Sequence, residues 1–210
     1  MNATTSLVLG TTNAGKLREL AELLEPLGIA CCSLAGLASA IDVEETGSSF
    51  AENAALKATQ QATALGRWVL AEDSGLVVDA LGGAPGIYSA RFSGAEATDA
   101  RNNSLLLERL ESQPAALRSA HYACHAALSD PNGRIVAVSS GVCGGVIADR
   151  PSGAGGFGYD PLFIVPEYQR TFGELSPAVK AVISHRARAM RAIIPAISRW
   201  LLPAGQPVDD

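Results

Sequence analysis

The sequence predicts a mixed α/β fold in which a central twisted sheet, partly parallel and partly antiparallel, is flanked by helices. Three observations predict this fold. A short apolar strand near the N-terminus runs through a small-residue loop into an amphipathic helix. A second strand at 29–33 and a capped helix reaching Gly66 repeat that alternation. Two longer strand-like runs, 119–129 and 134–141, flank the hairpin signal Asp130-Pro131-Asn132-Gly133. We expect two lobes with the functional site in the cleft between them.

The composition is that of one globular domain, which we place at residues 1–202, with a flexible tail at 203–210. The chain is 48% hydrophobic and 18% charged, and its apolar runs fall short of the ~20 residues that a membrane span needs. We find no export signal and therefore expect a cytoplasmic protein with four reduced cysteines. The net charge of -5 comes without a basic stripe, so nucleic acid and membranes are not expected partners.

The first strand, Ser6 to Leu9, is closed by Gly10 and leads into a loop that ends at Lys16. The helix after the loop stops at Gly28. Unpaired amide groups at a helix N-terminus together with a lysine favour phosphate binding. The pattern G-x-x-x-x-G-K matches a P-loop only in part, because Leu17 stands where that motif has a hydroxyl. An ordinary β-α turn remains the alternative.

The next helix begins with a capping box, in which Ser49 and Glu52 satisfy each other's backbone amides. Just before it, Glu44 and Glu45 are either oxygen ligands for a hard cation or an acidic turn that the helix dipole favours.

On this helix Asn53 and Lys57 lie four residues apart and share one face, which we interpret as solvated.

Two carboxylates, Glu72 and Asp73, follow the apolar run Trp68 to Ala71, where we expect the strand to end and a turn to begin at Gly75. Acidic side chains are rarely buried unless they are paired or bind a metal. The two interpretations are a solvated strand end and a metal or general-base site.

Glycines surround Phe157 in the stretch 152–161. In the sequence this stretch follows a helix that we expect to begin at Thr98-Asp99, and it precedes the C-terminal helices. Glycine lets backbone approach a ligand closely and leaves the aromatic ring free to stack on a planar base. A flexible surface loop is the alternative interpretation.

The C-terminal region reads as two helices rather than one. Ser176-Pro177 begins a short helical turn that carries Lys180, and Ser184 caps a new helix whose first turn holds His185 and Arg186. Basic side chains at a helix N-terminus oppose the dipole, which favours a bound ligand there, although ordinary surface residues remain possible. Pro195 is expected to kink or interrupt the second helix.

Taken together, the motifs closely resemble the inosine triphosphate pyrophosphatase family along nearly the whole chain. The matching segments are T-T-N-A-G-K from Thr11, E-E-T-G from Glu44, F-A-E-N-A from Phe50, E-D-S-G-L from Glu72, L-G-G-A-P-G-I-Y-S-A-R from Leu81, G-G-F-G-Y-D-P from Gly155 and S-H-R from Ser184. The family's T-x-N-x-x-K motif has no hydroxyl after the lysine, which accounts for Leu17.

The resemblance implies Mg²⁺-dependent hydrolysis of ITP, dITP and XTP to the monophosphate and pyrophosphate by a homodimer. It implies that Asp73 is a metal ligand and proton acceptor, that Glu45 is a second metal ligand and that Ser74 contacts the substrate. The residues that it assigns to the triphosphate are Thr11, Thr12, Asn13, Ala14, Gly15 and Lys16, and those around the base are Phe157, Gly158, Tyr159, Asp160, Lys180, His185 and Arg186. Some members have Asp-Asp where this chain has Glu72-Asp73, so Glu72 is given a supporting role.

Discrimination among purines should depend on the 6-position. Donors from His185, Arg186 or the backbone fit a 6-keto group and leave a 6-amino group unmatched. GTP also carries a 6-keto group, so its rejection requires a separate penalty at the 2-amino position. Two alternatives remain at this point, a pyrophosphatase for modified pyrimidine nucleotides and a nucleotide sensor without catalysis.

Overall fold

Seven strands form one sheet in the computed structural model, which describes residues 6–202. In chain order they are β1 (Leu7–Leu9), β2 (Cys31–Ser33), β3 (Val69–Val78), β4 (Ser119–Ser129), β5 (Ile135–Ile147), β6 (Phe163–Val165) and β7 (Arg170–Thr171). Their order across the sheet is β2-β1-β3-β4-β5-β6-β7. β1 is parallel to β2 and β3, whereas β6 is antiparallel to β5 and β7. The short turn between β4 and β5 makes that pair antiparallel as well.

Helices flank this sheet. They are α1 (Ala14–Leu24), α2 (Phe50–Leu65), α3 (Asp99–Arg109), α4 (Pro177–Ile183) and α5 (His185–Leu201). The predicted mixed α/β fold is therefore confirmed, while the cleft expected between two lobes stays a prediction. None of the helices within residues 6–202 has the length and apolar character that a membrane span requires.

The described residues form two compact units. Unit 1 contains 6–73, 125–140 and 188–202, and unit 2 contains 74–124 and 141–187. The prediction of one domain over 1–202 stays a prediction. The tail predicted at 203–210 lies outside the described residues.

The core of unit 1 is formed where α2 packs on the sheet. Ala54, Ala58 and Ala62 are spaced four apart on α2 and are almost completely buried. They pack in one cluster with Val8 of β1 and Val69 of β3. Small side chains allow the helix backbone to lie close to the strands, which fixes the polar residues that α2 carries beside this face.

The core of unit 2 is richer in aromatic residues. Tyr122, Phe163 and Phe172 are buried together, and the ring centroids of the two phenylalanines lie 5.3 Å apart. Leu106 of α3 and Leu110, the residue that caps the C-terminus of α3, are completely buried in the same cluster. The helix α3 is therefore anchored to this core through its apolar face.

The strand β3 is longer than the sequence suggested. It continues through Glu72 and Asp73, and through the expected turn at Gly75, to Val78. Each carboxylate has a lysine partner within unit 1, so the acidic side chains are tolerated inside a buried strand. The prediction that the strand ends before Glu72 was therefore wrong.

The helix boundaries follow their predicted caps, with one adjustment. Ser49 Oγ accepts a hydrogen bond from the Glu52 amide at 3.2 Å, as expected. The Glu52 carboxylate accepts from the amide of Ser48 at 2.6 Å, and it also interacts with the amide of Ser49. The final helix α5 continues through Pro195 to Leu201, so it is not interrupted there, while the alternative of a kink at Pro195 stays a prediction. The four cysteines at 31, 32, 124 and 143 form no disulfide bond with one another.

Candidate functional site

The loop between β1 and α1 is shaped by its own hydrogen bonds. Gly10 packs against β3, where a Cβ atom on it would lie 2.9 Å from Cβ of Ala71. The Thr11 hydroxyl accepts from the Asn13 amide at 3.2 Å, and the Asn13 side chain accepts from the Lys16 amide at 3.0 Å. Asn13 is thus the N-cap of α1. The loop presents the start of this helix in a fixed conformation.

The predicted phosphate-binding residues lie at this helix start. Thr12, Asn13 and Ala14 are exposed, and Thr11, Gly15 and Lys16 are half-buried. The first amide groups of a helix lack partners within the helix and carry partial positive charge. The arrangement is suited to an anion, and the assignment of these six residues to phosphate stays a prediction.

The Lys16 ammonium has a carboxylate partner on β3. Its Nζ lies 3.2 Å from Oε1 of Glu72, whose side chain is completely buried. Glu72, left by the sequence in a supporting role, therefore holds the lysine that follows the loop. A buried carboxylate requires such a partner, since an unpaired one would have a large desolvation cost.

A second lysine, Lys57 of α2, joins the two carboxylates that were predicted to bind metal. Its Nζ lies 2.7 Å from Oε1 of Glu45 and 3.1 Å from Oδ1 of Asp73. Asn53, one helical turn earlier, donates to Oδ2 of Asp73 at 3.3 Å and accepts from the Gly47 amide at 2.8 Å. The prediction of a solvated face for Asn53 and Lys57 was wrong, because Asn53 is fully buried and Lys57 largely so.

Burial and neighbouring charges shift the pKa values of this cluster in opposite directions. Burial raises the pKa of Asp73 and outweighs the attraction of Lys57 and Lys16, which lowers it. For Lys57, burial lowers the pKa, but the combined attraction of Asp73, Glu45 and Glu72 leaves it above the usual value. Three carboxylates and two ammonium groups leave a formal excess of one negative charge (3 − 2 = 1). Such a site attracts a cation, and a phosphate group enters it most readily together with one.

The donors of this cluster fit a magnesium ion that is shared with a phosphate ligand. Glu45 and Asp73 both contact the Lys57 ammonium, so their oxygens converge on one cationic position. Across residues 6–202 no group of three or more His, Cys, Asp or Glu side chains is arranged to hold a metal. Magnesium is commonly bound by one or two carboxylates together with water and phosphate oxygens. The pair of carboxylates matches that pattern and does not form an all-protein cage.

A separate cluster in unit 2 is built around Phe157. The Phe157 amide donates to Oδ2 of Asp160 at 2.9 Å, and the same carboxylate forms a buried ion pair with Lys180. The Lys180 ammonium lies 4.7 Å from the centre of the Phe157 ring. The carboxylate and the ammonium thereby fix one another beside a half-buried aromatic ring.

Residues at the start of α5 complete this cluster. Ser184 caps the helix by accepting from the Ala187 amide at 3.1 Å, which confirms the predicted break between α4 and α5. Arg186 is 1% exposed, donates to the Ser74 hydroxyl at 2.9 Å and lies 5.7 Å from the Phe157 ring centre. The His185 ring stacks on Tyr122 with centroids 4.6 Å apart. The chain therefore holds both basic residues in place from within unit 2.

Tyr159, which was predicted to contact the substrate, lies in the hydrophobic core of unit 2. Its hydroxyl donates to the carbonyl of Ser89 at 2.8 Å, and burial raises its pKa far above the usual value. The Tyr159 side chain therefore anchors the loop to the core of unit 2. Gly158, which precedes it, has a φ of 62°, a conformation that favours glycine.

Replacing Gly156 with alanine is expected to destabilise unit 2 more than the same change at Gly158. Both glycines have positive φ, so each alanine costs about 1–2 kcal/mol of backbone strain. Only at Gly156 would the new Cβ overlap the Asp160 carboxylate, adding about 1–3 kcal/mol, whereas the space at Gly158 is open. Urea unfolding of both variants measures the difference, and equal losses would show that the Asp160 carboxylate has room to move.

Comparison with known proteins relates the chain to a family. The model of the Ham1 family matches residues 7–196. The chain belongs to the Ham1 family. A relative named dITP/XTP pyrophosphatase from Rhodopirellula baltica is 54% identical over 199 residues, which cover 95% of this chain and 96% of that protein. A protein with the same name from Desulforamulus reducens is 49% identical over 193 residues, covering 92% and 96%.

A solved structure of a Ham1 protein from Coxiella burnetii has the same fold. It superposes with a TM-score of 0.83 at 41% identity, covering 93% of this chain and 99% of that one. The resemblance stated from the motifs is therefore confirmed, since Ham1 proteins and named dITP/XTP pyrophosphatases match along almost the whole chain.

The sequence did not reveal that Asn53 and Lys57 belong to the unit 1 cluster, nor that Glu72 pairs with Lys16. A signal for Asn53 was present. The alanines that face the sheet from α2 are spaced four apart, and Asn53 immediately precedes the first of them, Ala54. On a helix, the side chain of a polar residue next to the buried stripe commonly lies close to the face that packs on the core.

Proposed function

We propose that this Ham1 family protein hydrolyses non-standard purine nucleoside triphosphates, namely ITP, dITP and XTP, between the α and β phosphates. The products are the monophosphate and pyrophosphate. The observation that carries the proposal is the 54% identity, over 95% of the chain, to a protein named dITP/XTP pyrophosphatase. The chemistry of the two clusters supports it.

The unit 1 cluster has the chemistry of a phosphate site. The N-terminus of α1 offers amide groups to the phosphate oxygens, and Lys16, fixed by Glu72, adds a full positive charge. Glu45 and Asp73 are the residues that would hold Mg²⁺, and the ion would offset the negative charge of the phosphates. Asp73 accepts the proton of the attacking water, while Lys57 and Asn53 orient its two carboxylate oxygens.

The unit 2 cluster has the chemistry of a site for a planar base. The Phe157 ring offers a stacking surface, and the guanidinium of Arg186 and the imidazole of His185 are donors that are rigidly held. A purine with a 6-keto group accepts hydrogen bonds from such donors. A 6-amino group in its place leaves a buried donor unmatched, at a cost of about 1–3 kcal/mol.

A substrate panel with Mg²⁺ tests the proposal. Pyrophosphate release is measured with ITP, dITP, XTP, GTP, ATP, UTP and dTTP at equal concentration. We expect ITP, dITP and XTP to be hydrolysed at least about tenfold faster than ATP, on the basis of one unmatched donor. Preference for UTP or dTTP would instead indicate a pyrimidine pyrophosphatase, and binding of ITP without pyrophosphate release would indicate a sensor.

The proposal includes the homodimer that the sequence resemblance implies, and it also includes a cytoplasmic location. A dimer has twice the chain mass of 21.6 kDa. Light scattering measures the mass of the protein as it elutes from a size-exclusion column. A monomer at working concentration would remove the dimer from the proposal.

A further inference from the structure

One residue of the loop beside Phe157 is held at both of its backbone polar groups by α3. The Gly158 amide donates to Oδ2 of Asp99 at 2.7 Å. The Gly158 carbonyl accepts from Nδ2 of Asn103 at 3.0 Å. Asp99 and Asn103 are four residues apart, so they lie on the same face of α3. We call these two side chains the α3 clamp.

The clamp acts on the residues that form the unit 2 cluster. Gly158 lies directly between Phe157, whose ring is near two cations, and the pair Tyr159-Asp160. Its φ of 62° is accessible to glycine without strain, so side-chain crowding does not fix this peptide. The clamp therefore fixes the Gly158 peptide, in addition to the hydrogen bonds between Phe157 and Asp160 within the loop.

The helix that carries the clamp is rigidly attached to unit 2. Its apolar face is buried through Leu106 and Leu110, as described above. Asn102, next to Asn103, donates to the carbonyls of Ser89 at 3.3 Å and Ala90 at 3.2 Å. Because this helix is held rigidly, its side chains fix the position of the loop residue that they contact.

We propose that Asp99 and Asn103 are positioning residues for recognition of the base. They act through Gly158 and hold the Phe157 ring in the orientation that receives the purine. This inference rests on the proposed function, and it extends the site to α3. No covalent step is involved.

Asp99→Ala separates positioning from catalysis. Because the base lies away from the bond that is broken, weaker base binding raises KM and leaves kcat almost unchanged. We expect KM for dITP to rise about tenfold, as for the loss of one hydrogen bond to a charged acceptor, with kcat within about twofold of wild type. Asp99→Asn keeps an acceptor oxygen for the Gly158 amide and should restore KM to within about threefold of wild type.

A matched control and a second observable complete the test. Arg101→Ala alters the same first turn of α3 at an exposed side chain whose partner is Glu96, and it should leave KM unchanged. Hydrogen exchange of the backbone from Phe157 to Asp160 should accelerate in Asp99→Ala and Asn103→Ala but not in Arg101→Ala.

The outcomes distinguish this inference from the proposed function. An active wild type whose KM is unchanged in Asp99→Ala and in Asn103→Ala would overturn the inference and leave the proposed function intact. A rise in KM that is as large in Asp99→Asn as in Asp99→Ala would also overturn it, since helix charge would then be the cause. A wild type that neither hydrolyses nor binds ITP would overturn both.

Discussion

Asp73→Asn should lower kcat for dITP by about 10²–10⁴-fold, the range expected when a general base is removed. Asparagine keeps the size of the side chain and an oxygen that can accept from Lys57, while its amide nitrogen replaces the oxygen that accepts from Asn53. What it loses is the charge that binds a cation and the ability to accept a proton. Steady-state kinetics with dITP and Mg²⁺ measure the effect, and circular dichroism checks the fold.

Asp79→Asn is the matched control for this variant. Asp79 follows β3 immediately, is exposed and contacts Ser119 rather than the unit 1 cluster. Its replacement should change kcat by less than about twofold, as for a surface substitution remote from the site. Near-wild-type activity in Asp73→Asn would remove Asp73 from the catalytic role, whatever the control shows.

Asp160→Ala should be the most destabilising of the variants considered. The change leaves the Lys180 ammonium buried without this carboxylate, and breaking a buried ion pair in this way costs about 3–5 kcal/mol. It also removes the acceptor of the Phe157 amide. Urea unfolding at neutral pH measures the free energy of unfolding.

The control for Asp160→Ala is Asp149→Ala, an exposed aspartate in the same unit, for which a change within about 0.5 kcal/mol is expected. A second variant, Asp160→Asn combined with Lys180→Met, removes both charges and should be more stable than Asp160→Ala alone. If Asp160→Ala is as stable as the Asp149→Ala control, the pair contributes nothing and our account of the unit 2 cluster is wrong.

Much of the fold was predictable because its signals are local. Asn13, Ser49, Thr98, Ser176 and Ser184 all cap helices in the structure, and capping depends on residues within one turn. The break between α4 and α5 was found for the same reason. The hairpin at 130–133 is another local signal, in which turn residues join two strands.

What the sequence did not reveal depends on contacts between residues far apart in the chain. The predicted strand ended at Ala71, because two adjacent carboxylates are typical of a strand end. In the structure β3 continues, and the burial of Glu72 is made possible by its pairing with Lys16. The role of Lys57 was missed for a similar reason, since Glu45 and Asp73 are distant from it in sequence. A charged helix residue alone gives no indication of such partners.

The unit 2 cluster was likewise predictable only in part. Glycine density pointed to the loop around Phe157, and the family motif pointed to Asp160, Lys180 and Arg186. The structure brings these residues together. Neither indication revealed the α3 clamp, because Asp99 and Asn103 contact the backbone of Gly158, which is far from them in the sequence.

Identification of the products formed from dITP by the wild-type protein tests the central claim most directly. Ion-exchange chromatography separates the nucleotides, and pyrophosphate and orthophosphate are quantified in the same reaction with Mg²⁺. Our account predicts one dIMP and one pyrophosphate for each dITP consumed, with neither dIDP nor orthophosphate accumulating. Formation of dIDP and orthophosphate, or no turnover by folded protein, would contradict it.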